Sequence, residues 1–395
     1  MKEFLTFFCQ SLTKAMGTLV STILLTIFLI SCEEGLQPEP EMANLKTQEQ
    51  SDLKGLKPDI IVSAGSSIQA AVNAADPGDV ILIKPGVYKE DILVEKPNIT
   101  IRGSQNVIIQ NPGDAEDGIR VTANGDGFKL YGVTLRDFEE NGVIIIRADD
   151  YVLSHVTTIN CGEYGLFPIA SNRGLIEHCV ASGHTDSGIY IGQCEDTEMH
   201  HNKTYENVIG LEIENCSRVV ASHNQSYNNT VGMLVVLLPG LRVTTSTDIL
   251  LTHNRVVNNN HVNFAEPGGG FENFVPTGSG ILIVGTDNTR LVQNQVMGNN
   301  FLGIAVVSTR LLGGLVGLPP ESFNLIEPNP DGARVIKNVV KNNGAAPPVL
   351  PIPVPGVDLF WDGSGSDNCW RDNSYSTSYP ATLPTCSSDY VVSKR

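Results

Sequence analysis

A glycine that opens a short segment of alternating apolar residues recurs along this chain at nearly fixed spacing. The spacing from Gly118 to Gly142 is nearly repeated at each later step, except that the interval from Gly232 to Gly280 is about twice as long. Period-two alternation is typical of a β-strand, and a repeat of this length is typical of a solenoid, whose units pack only on their neighbours. We expect glycine at this position because it permits a turn that a larger residue resists. The repeat predicts stacked coils of strands that begin at Gly118, Gly142, Gly165, Gly188, Gly210, Gly232, Gly280 and Gly303.

The long interval between Gly232 and Gly280 carries Asn254 near its middle. We therefore expect one coil to be concealed in it. The remainder consists chiefly of two long segments, 237–248 and 261–279. Loops longer than about 12 residues on a compact scaffold are often functional, so we expect these two to form one wall of a groove.

Asparagines recur in phase with the glycines. In stacked coils, residues at one coil position lie about 4.8 Å apart, so their amides can form hydrogen bonds along the stack. We predict a structural ladder of Asn202, Asn224, Asn254, Asn294 and Asn338.

The first part of the repeat region has a different pattern. The segment 66–75 reads SSIQAAVNAA, which predicts a short amphipathic helix with a capping box formed by Ser66 and Gln69. Terminal units of a solenoid have an open end that must be covered. We expect this helix to cover the N-terminal end of the coils.

The N-terminal region is typical of an exported protein. Residues 16–30 are almost wholly apolar, a run with about the length of a signal-peptide core and short for a membrane span. The run ends in LISC at positions 29–32, which resembles the lipobox of bacterial lipoproteins. This resemblance implies a signal peptide over 1–31, a lipid on Cys32, and attachment to a cell-envelope membrane facing the periplasm or the cell exterior. Residues 32–58 are polar and predict a flexible tether.

The chain is acidic, with a formal net charge of −17 from 26 basic and 43 acidic residues. Nucleic-acid binding requires a basic face, so we expect no nucleic-acid partner. An acidic balance suits solubility or the binding of cations.

Six of the eight cysteines lie beyond Cys32. Export permits disulfides. Cys369 and Cys386 bracket a polar tail, and a bridge between them would hold the C-terminus. Cys194 and Cys216 each lie six residues after a repeat glycine, which predicts either a disulfide or a buried stack of thiols.

Four segments carry a resemblance to a known family: 165–168 (GLFP), 187–193 (SGIYIGQ), 210–215 (GLEIEN) and 357–363 (VDLFWDG). They resemble the parallel β-helix repeat proteins, a superfamily that includes pectate lyases and mannuronan epimerases. They are most similar to exported or lipidated members of that superfamily. The resemblance implies an all-β fold, a single-stranded right-handed parallel β-helix of about ten coils with a short N-terminal capping helix. We expect the β-helix over 59–372 and a C-terminal tail over 373–395.

Mannuronan epimerases carry a Tyr-Gly-Phe-Asp-Pro-His motif. The matching stretch here is 164–169, YGLFPI, which lacks the aspartate and the histidine. Those groups supply the charge stabilisation and proton transfer that C5 chemistry needs. We therefore do not expect epimerisation by that mechanism at this position.

The second and fourth residues after each repeat glycine are expected to point outward, and most of them are apolar. An apolar outward face is unusual for a solvated strand, so either the long loops cover it or a partner docks on it. The two columns contain Arg120, Ile144, Phe167, Tyr190, Glu212, Leu234, Leu282 and Ala305, and Ile146, Ile169, Gly192, Glu214, Val236, Val284 and Val307.

Candidate catalytic residues stand within this face. Glu212 and Glu214 are two residues apart on one strand and share a side of it. Together with Tyr190 and with Asp186 at the preceding turn, they form a candidate acid/base site or a candidate site for a hard cation such as Ca²⁺. The structural alternatives are a solvated strand edge or an ion pair with Arg218.

Histidine supplies a second candidate. Five histidines share one coil position, close enough for ring stacking or for metal binding. They are His155, His178, His201, His223 and His253. Cys161 and His184 also share a coil position, which raises the further hypothesis of a Cys–His nucleophile.

These features favour an envelope-anchored protein that binds or processes an extracytoplasmic polysaccharide. The alternative is a non-catalytic docking or structural module for a co-exported partner in a periplasmic redox or metal pathway. An enzyme requires that the carboxyl groups converge beneath the long loops, whereas a docking module requires an open, flat apolar face.

Overall fold

The computed structural model describes residues 57–268 and 270–387. Within these residues, three parallel sheets wind into a right-handed parallel β-helix, as predicted. Each coil runs from a strand of sheet 3 through one of sheet 1 and one of sheet 2, and every pairing between coils is parallel. The predicted signal peptide, Cys32 and nearly all of the tether lie outside the described residues.

Sheet 1 contains, in order, Ile60–Val62, Val80–Ile83, Thr100–Gly103, Lys129–Tyr131, Val152–Ser154, Leu175–Glu177, Glu198–His200, Val220–Ser222, Leu250–Thr252, Arg290–Val292, Arg334–Ile336 and Cys369–Arg371. Sheet 2 contains Gly86–Lys89, Val107–Gln110, Thr134–Arg136, Thr157–Ile159, Val180–Ser182, Lys203–Tyr205, Gln225–Tyr227, Arg255–Val257, Gln295–Met297 and Val339–Lys341. Sheet 3 contains Ile92–Val94, Asp117–Val121, Asn141–Ile146, Tyr164–Ile169, Ser187–Gly192, Ile209–Glu214, Val231–Val236, Ser279–Val284, Leu302–Val307, Val357–Trp361 and Ser378–Tyr379.

The strand glycines serve packing, and the prediction that they form turns was wrong. Gly142 does not adopt a positive φ. A Cβ atom on Gly142 would lie 2.6 Å from the carbonyl oxygen of Gly165 and 2.7 Å from Cγ2 of Thr158. The corners are formed instead by other residues in left-handed conformations, such as His178 with φ 52°. Glycine recurs because the interior leaves no room for a side chain.

The long interval between Gly232 and Gly280 holds one coil, marked by Asn254, and two loop segments, as predicted. Met233 pairs directly with Ile281 in sheet 3. The same coil contributes Leu250–Thr252 and Arg255–Val257 to the other two sheets. The extra length is therefore two insertions at the coil corners, one of which contains the 3₁₀ helix Phe271–Phe274.

A later coil is expanded in the same way. Leu302–Val307 pairs directly with Val357–Trp361 in sheet 3. The chain between them includes the helix Thr309–Val316 and the 3₁₀ helix Pro320–Phe323. The insertions of the two coils fold over the outward face of sheet 3.

The predicted N-terminal helix is present as Ile68–Ala74, and its N-cap is Ser67 rather than Ser66. The hydroxyl of Ser67 accepts a hydrogen bond from the N–H of Ala70 at 3.0 Å. Ile68 and Val72 are buried against the first coil. The helix therefore covers apolar side chains at this end of the β-helix.

The asparagine ladder forms as predicted. Oδ1 of Asn254 accepts hydrogen bonds from the backbone N–H of Asn224 at 2.9 Å and from its Nδ2 at 3.0 Å. Asn254 in turn donates from Nδ2 to Oδ1 of Asn294 at 2.9 Å. The ladder extends one step further than predicted, to Asn373. A second ladder, not predicted, contains Asn207, Asn229, Asn259, Asn299 and Asn343.

The cysteines adopt two arrangements. Cys369 and Cys386 form a disulfide. Cys194 and Cys216 are free and buried, and the N–H of Cys194 lies 3.2 Å from Sγ of Cys216. The second pair is therefore the buried stack of thiols, in which the sulfur of Cys216 accepts a backbone hydrogen bond from the preceding coil.

The strands continue beyond residue 372, the predicted end of the β-helix. Ser378–Tyr379 adds a final strand to sheet 3. Across residues 57–268 and 270–387, no helix has the length and apolar character needed to cross a membrane.

Candidate functional site

A pocket of about 200 Å³ lies on the outward face of sheet 3, beside the strand Ile209–Glu214. One half of its lining is acidic and hydroxylic, and the other half is apolar. Strands of sheet 3 form its floor, and the 3₁₀ segment near Phe271 and the helix Thr309–Val316 form its walls. The lining residues are Tyr164, Asp186, Ile209, Glu212, Glu214, Leu234, Val236, Leu238, Gly270, Phe271, Glu272, Val275 and Leu312.

The apolar part of the outward face is covered by the chain itself. Leu234 and Leu282 are buried in a cluster with Val275 and Leu312 from the insertions. Burial of such side chains stabilises the covering segments by about 25 cal/mol per Å². The structure therefore shows that the long loops cover this face, which was one of the two expectations. The covering segments end beside the carboxyl groups.

A serine hydroxyl joins two carboxyl groups at the pocket. Oγ of Ser187 lies 3.0 Å from Oδ1 of Asp186 and 2.5 Å from Oε2 of Glu212. A hydroxyl has one proton to donate, so both hydrogen bonds form only if one of the carboxyl groups is protonated. Asp186 and Glu212 are both buried, at 8% and 6% exposure.

The electrostatics favour Glu212 as the protonated member. Burial raises the pKa of Glu212 well above its usual value, and the neighbouring carboxyl groups of Asp186 and Glu214 raise it further. Burial also raises the pKa of Asp186, to about 7, against hydrogen bonds from the Tyr164 and Ser187 hydroxyls that lower it. A protonated Glu212 then donates to Ser187, which donates to Asp186.

The second glutamate has a tyrosine partner. The hydroxyl of Tyr190 donates to Oε1 of Glu214 at 2.6 Å. Burial raises the pKa of Glu214, while this hydrogen bond lowers it. Burial and the nearby carboxylates raise the pKa of Tyr190 well above its usual value, so Tyr190 stays a donor.

The structure thus brings together all four candidate residues from the sequence. Asp186, Glu212 and Glu214 line the pocket, and Tyr190 supports Glu214 from the preceding coil. Neither structural alternative is present. Asp186 and Glu212 are buried, Glu214 is half-buried and accepts a hydrogen bond from Tyr190, and Arg218 forms ion pairs with Glu195 and Asp196 instead.

Three polar residues of the site were not proposed as candidates from the sequence: Tyr164 and Glu272, which line the pocket, and Ser187, which contacts two of its carboxyl groups. Tyr164 and Ser187 directly precede a repeat glycine, and residues at that position point outward beside the acidic face. The repeat could have revealed these two. Glu272 belongs to the insertion 261–279. This segment lies outside the repeat, so counting from a repeat glycine could not place Glu272 near the pocket.

The aromatic residues beside the pocket form a compact group. The ring centroid of Tyr164 lies 4.2 Å from that of Phe167, with the rings stacked, and 5.2 Å from that of Tyr190. Phe167 is half-buried on the strand surface. The group places aromatic rings next to hydrogen-bonding carboxyl groups.

The hypothesis of a calcium site receives no geometric support. In residues 57–268 and 270–387, no group of three or more His, Cys, Asp or Glu side chains is placed to hold a metal ion. Calcium also prefers ionised carboxylates, whereas burial favours the protonated form of Glu212.

The predicted histidine column is a stacking ladder. Centroids of successive rings lie 4.9 to 5.0 Å apart, and the last two pairs are within 7° of parallel. Parallel rings direct their nitrogen lone pairs side by side rather than toward one ion, so this geometry does not suit metal binding. The ladder consists of His155, His178, His201, His223 and His253.

Cys161 and His184 do meet, but not as a nucleophilic pair. Nε2 of His184 lies 3.1 Å from Oγ1 of Thr158, and the N–H of Cys161 donates to Nδ1 at 3.2 Å. Burial lowers the pKa of His184 to about 4 and raises the pKa of Cys161 to about 12. A neutral imidazole and a protonated thiol are inert, and His184 donates its backbone N–H to Oδ1 of Asn207 as the first step of the second ladder.

Comparison with known proteins supports the architecture. A family model described as "Right handed beta helix region" matches residues 117–312. No curated protein sequence matches the chain. The A-module of mannuronan C-5 epimerase AlgE4 from Azotobacter vinelandii is 15% identical with a TM-score of 0.52, over 82% of this chain and 94% of that chain. The periplasmic alginate epimerase AlgG is 15% identical with a TM-score of 0.52, over 81% of this chain and 84% of that chain.

At this level of identity the two solved structures share the fold with this chain, and the fold does not carry an activity with it. The assignment rests on the repeat, on the three parallel sheets and on the family match. These features show that the chain folds as a right-handed parallel β-helix, and the match to the "Right handed beta helix region" model covers just under half of it, over residues 117–312.

Proposed function

We propose that the protein binds a polysaccharide along the outward face of sheet 3 and transfers protons at one sugar residue held in the pocket. The observation that carries the proposal is the hydroxyl of Ser187 between the carboxyl groups of Asp186 and Glu212. Two solved structures of the same fold are, by name, epimerases of mannuronan and alginate. Both are polysaccharides, which supports a ligand of this class here.

The lining suits a sugar ring. Small-molecule sites combine an apolar surface with a few placed polar groups, and here Leu234 and Val275 line the same pocket as Asp186 and Glu212. Among the described residues that line the pocket, none is Lys, Arg or His. A uronate would find no cation there to neutralise its carboxylate.

The chemistry that fits two carboxyl groups in different protonation states is hydrolysis of a glycosidic bond. One carboxyl group donates a proton to the leaving oxygen, and a second removes a proton from water or attacks the sugar. Asp186, with a pKa raised by burial to about 7, can exchange a proton at neutral pH. Glu272 lines the same pocket, and its charge raises the pKa of Asp186, so it is a candidate for the second carboxyl group.

Attachment to the cell envelope is part of the same proposal. It is supported by the apolar run 16–30 and by Cys32 in a lipobox-like sequence. A tether over 32–58 would hold the β-helix close to the membrane while the pocket meets polymers outside the cytoplasm. A co-exported protein partner stays an expectation from the resemblance.

A panel of neutral, amino-sugar and uronic-acid polysaccharides tests the proposal. We expect the full chain to retard at least one of them in affinity electrophoresis and to release new reducing ends from it. Asp186→Asn and Glu212→Gln should each lower product formation by about 10²- to 10⁴-fold while changing binding little.

The matched control is Glu198→Gln, because Glu198 is exposed on sheet 1, away from the pocket. This variant should behave as the wild type. A chain that neither retains nor cleaves any polysaccharide of the panel contradicts the proposal.

A further inference from the structure

An asparagine on sheet 3 has a buried hydrogen-bond acceptor without a partner. Asn141 is 2% exposed, and its Nδ2 donates to Oδ1 of Asp117 at 2.6 Å. Its own Oδ1 is buried and accepts no hydrogen bond from the part of the chain that the structure describes. An unsatisfied buried acceptor costs about 1–3 kcal/mol, so a ligand that donates a hydrogen bond to this oxygen would gain affinity from it.

The orientation of the Asn141 amide is fixed by Asp117. Burial raises the pKa of Asp117, but the hydrogen bond from Asn141 and the ion pair with Arg120 favour its carboxylate form. A carboxylate only accepts hydrogen bonds, so Asn141 must turn Nδ2, and not Oδ1, toward it. Asp117 and Tyr164 are the register partners of Asn141 on the two sides. Oδ1, on the other side of the planar amide, is therefore directed toward the coil of Tyr164, which lines the pocket.

Asn141 continues the floor of the pocket toward the N-terminal end of the β-helix. Its strand pairs with the strand of Tyr164, which in turn pairs with the strand of Ser187. Two such steps separate Asn141 from Ser187 by about 10 Å. One sugar residue held at Asp186 and Glu212 does not span this distance, whereas a short oligosaccharide does.

The charges around Asn141 favour a neutral ligand. The ion-pair contacts of Arg120 with Asp117 and Glu116 both involve Nη2, and a guanidinium has five N–H donors, so others can donate to a ligand. The positive charge of Arg120 disfavours an ammonium group beside it. The carboxyl groups of Glu116, Asp117 and Glu140, which interact with one another, disfavour a ligand carboxylate. A sugar hydroxyl can accept from Arg120 and donate to Oδ1 of Asn141.

From this arrangement we infer a second subsite, formed by Asn141, Asp117 and Arg120, which binds a neutral sugar residue of the polysaccharide whose neighbouring residues occupy the pocket. The inference rests on the proposed function and narrows its substrate class to polysaccharides that are neutral at this position. Oδ1 of Asn141 is shielded by its neighbours, so binding requires one of them to move. Arg120 contacts the same carboxylate and its side chain is 37% exposed, so we expect it to be the one that moves.

The test uses the full chain, isothermal titration calorimetry and oligosaccharides of increasing length, from the monosaccharide to the tetrasaccharide. The neutral probes are cello-, manno- and xylo-oligosaccharides, and the charged probes are galacturonate and glucosamine oligomers. We expect at least one neutral series to gain about tenfold in affinity from the monosaccharide to the tetrasaccharide, because only the longer ligand reaches Asn141. Charged oligomers of the same length should bind more weakly.

Asn141→Ala should lower the affinity for the tetrasaccharide about tenfold and leave that for the monosaccharide, which occupies only the pocket, unchanged. A merely structural role of Asn141 would change the two affinities together. Arg120→Gln should also weaken the tetrasaccharide alone, so the test stands even if thermal unfolding shows that Asn141→Ala does not fold. Asn124→Ala, at an exposed site outside the strands, is the matched control and should keep the full gain.

The outcomes separate the subsite from the proposed function. A tetrasaccharide affinity that is unchanged in Asn141→Ala and Arg120→Gln would overturn the inference and leave the proposed function standing. The same follows if no neutral series gains affinity with length, or if a charged series binds more tightly than every neutral one. A chain that binds no sugar of the panel, whatever its length or charge, would contradict both proposals.

Discussion

Oγ of Ser187 and Oε2 of Glu212, on neighbouring coils of the β-helix, lie 2.5 Å apart. The same hydroxyl is 3.0 Å from Oδ1 of Asp186. Because the serine has one proton, these two contacts make the two carboxyl groups a single proton-sharing unit. The parallel register places Ser187 beside Ile209, so the strand of Glu212 is the immediate neighbour of the strand of Ser187.

Ser187→Ala should raise the pKa of Asp186 above its value of about 7, because the serine hydrogen bond lowers that pKa in the folded protein. Titration of the Asp186 carboxyl by ¹³C NMR or difference infrared spectroscopy measures the shift. The control is Ser246→Ala, which removes an equally buried hydroxyl that donates to the carbonyl of Cys216. An unchanged pKa of Asp186 in Ser187→Ala would show that the serine hydroxyl does not influence the proton equilibrium of the two carboxyl groups.

The stability of the fold should fall as pH rises because of Asp186. The unfolded carboxyl loses its proton near pH 3.9, whereas burial raises the pKa of the folded one to about 7. Between those values the unfolded chain binds fewer protons, so rising pH favours unfolding, by on the order of a few kcal/mol in total. Urea unfolding at a series of pH values measures this, and Asp186→Asn should flatten the profile. If the free energy of unfolding of the wild type instead rises from mildly acidic to neutral pH, and Asp186→Asn has the same profile, the predicted contribution of Asp186 is wrong.

His184 should contribute the opposite slope. Burial lowers its pKa to about 4, whereas the unfolded imidazole titrates near 6.5. As pH falls through that window, the unfolded chain binds a proton that the folded one does not, so acid favours unfolding. His184→Gln should reduce this loss of stability between pH values of about 6.5 and 4. Urea unfolding at a series of pH values tests this prediction. If the free energy of unfolding depends on pH equally in the variant and the wild type, His184 is not buried as a neutral imidazole.

Asn254→Ala should destabilise the protein by on the order of 3 kcal/mol. The substitution removes the acceptor of two hydrogen bonds from Asn224 and the donor to the carbonyl of Ala221, all in the interior. Denaturant unfolding gives the change in free energy. Asn124→Ala, at an exposed site, should lie within about 0.5 kcal/mol of the wild type. Similar changes in the free energy of unfolding for the two variants would show that the ladder does not stabilise the fold.

Gly142→Ala should destabilise the protein by about 1–3 kcal/mol, because its Cβ would lie 2.6 Å from the carbonyl oxygen of Gly165. Gly314→Ala is the matched control, since its Cβ would meet only Cδ1 of Ile352 within 4 Å, at 3.7 Å, in the helix Thr309–Val316. There alanine should stabilise the helix by up to about 1 kcal/mol. Thermal unfolding compares the two. A tolerated alanine at 142 would mean that the interior can move aside for a methyl group.

The sequence predicted the coil and its columns because a solenoid repeats its environment. Tyr190 and Glu212 were assigned to one outward column by counting from Gly188 and Gly210, and they are register partners in sheet 3. In the interval between Gly232 and Gly280, the glycine spacing alone did not reveal that there is one coil and two insertions, and the in-phase Asn254 was needed to locate that coil. Length alone cannot distinguish an insertion from a coil.

The sequence by itself determined the architecture, the ladders and the position of Asp186, Glu212 and Glu214 on one face, because each depends on local spacing repeated from coil to coil. Only the tertiary structure decided that this face is covered, that Glu272 lines the pocket, and that Ser187 contacts two carboxyl groups. Those features depend on where the aperiodic insertions fold back, through contacts between residues far apart in the chain. Burial in turn shifts the proton equilibria, so the chemistry of the site follows from the tertiary fold.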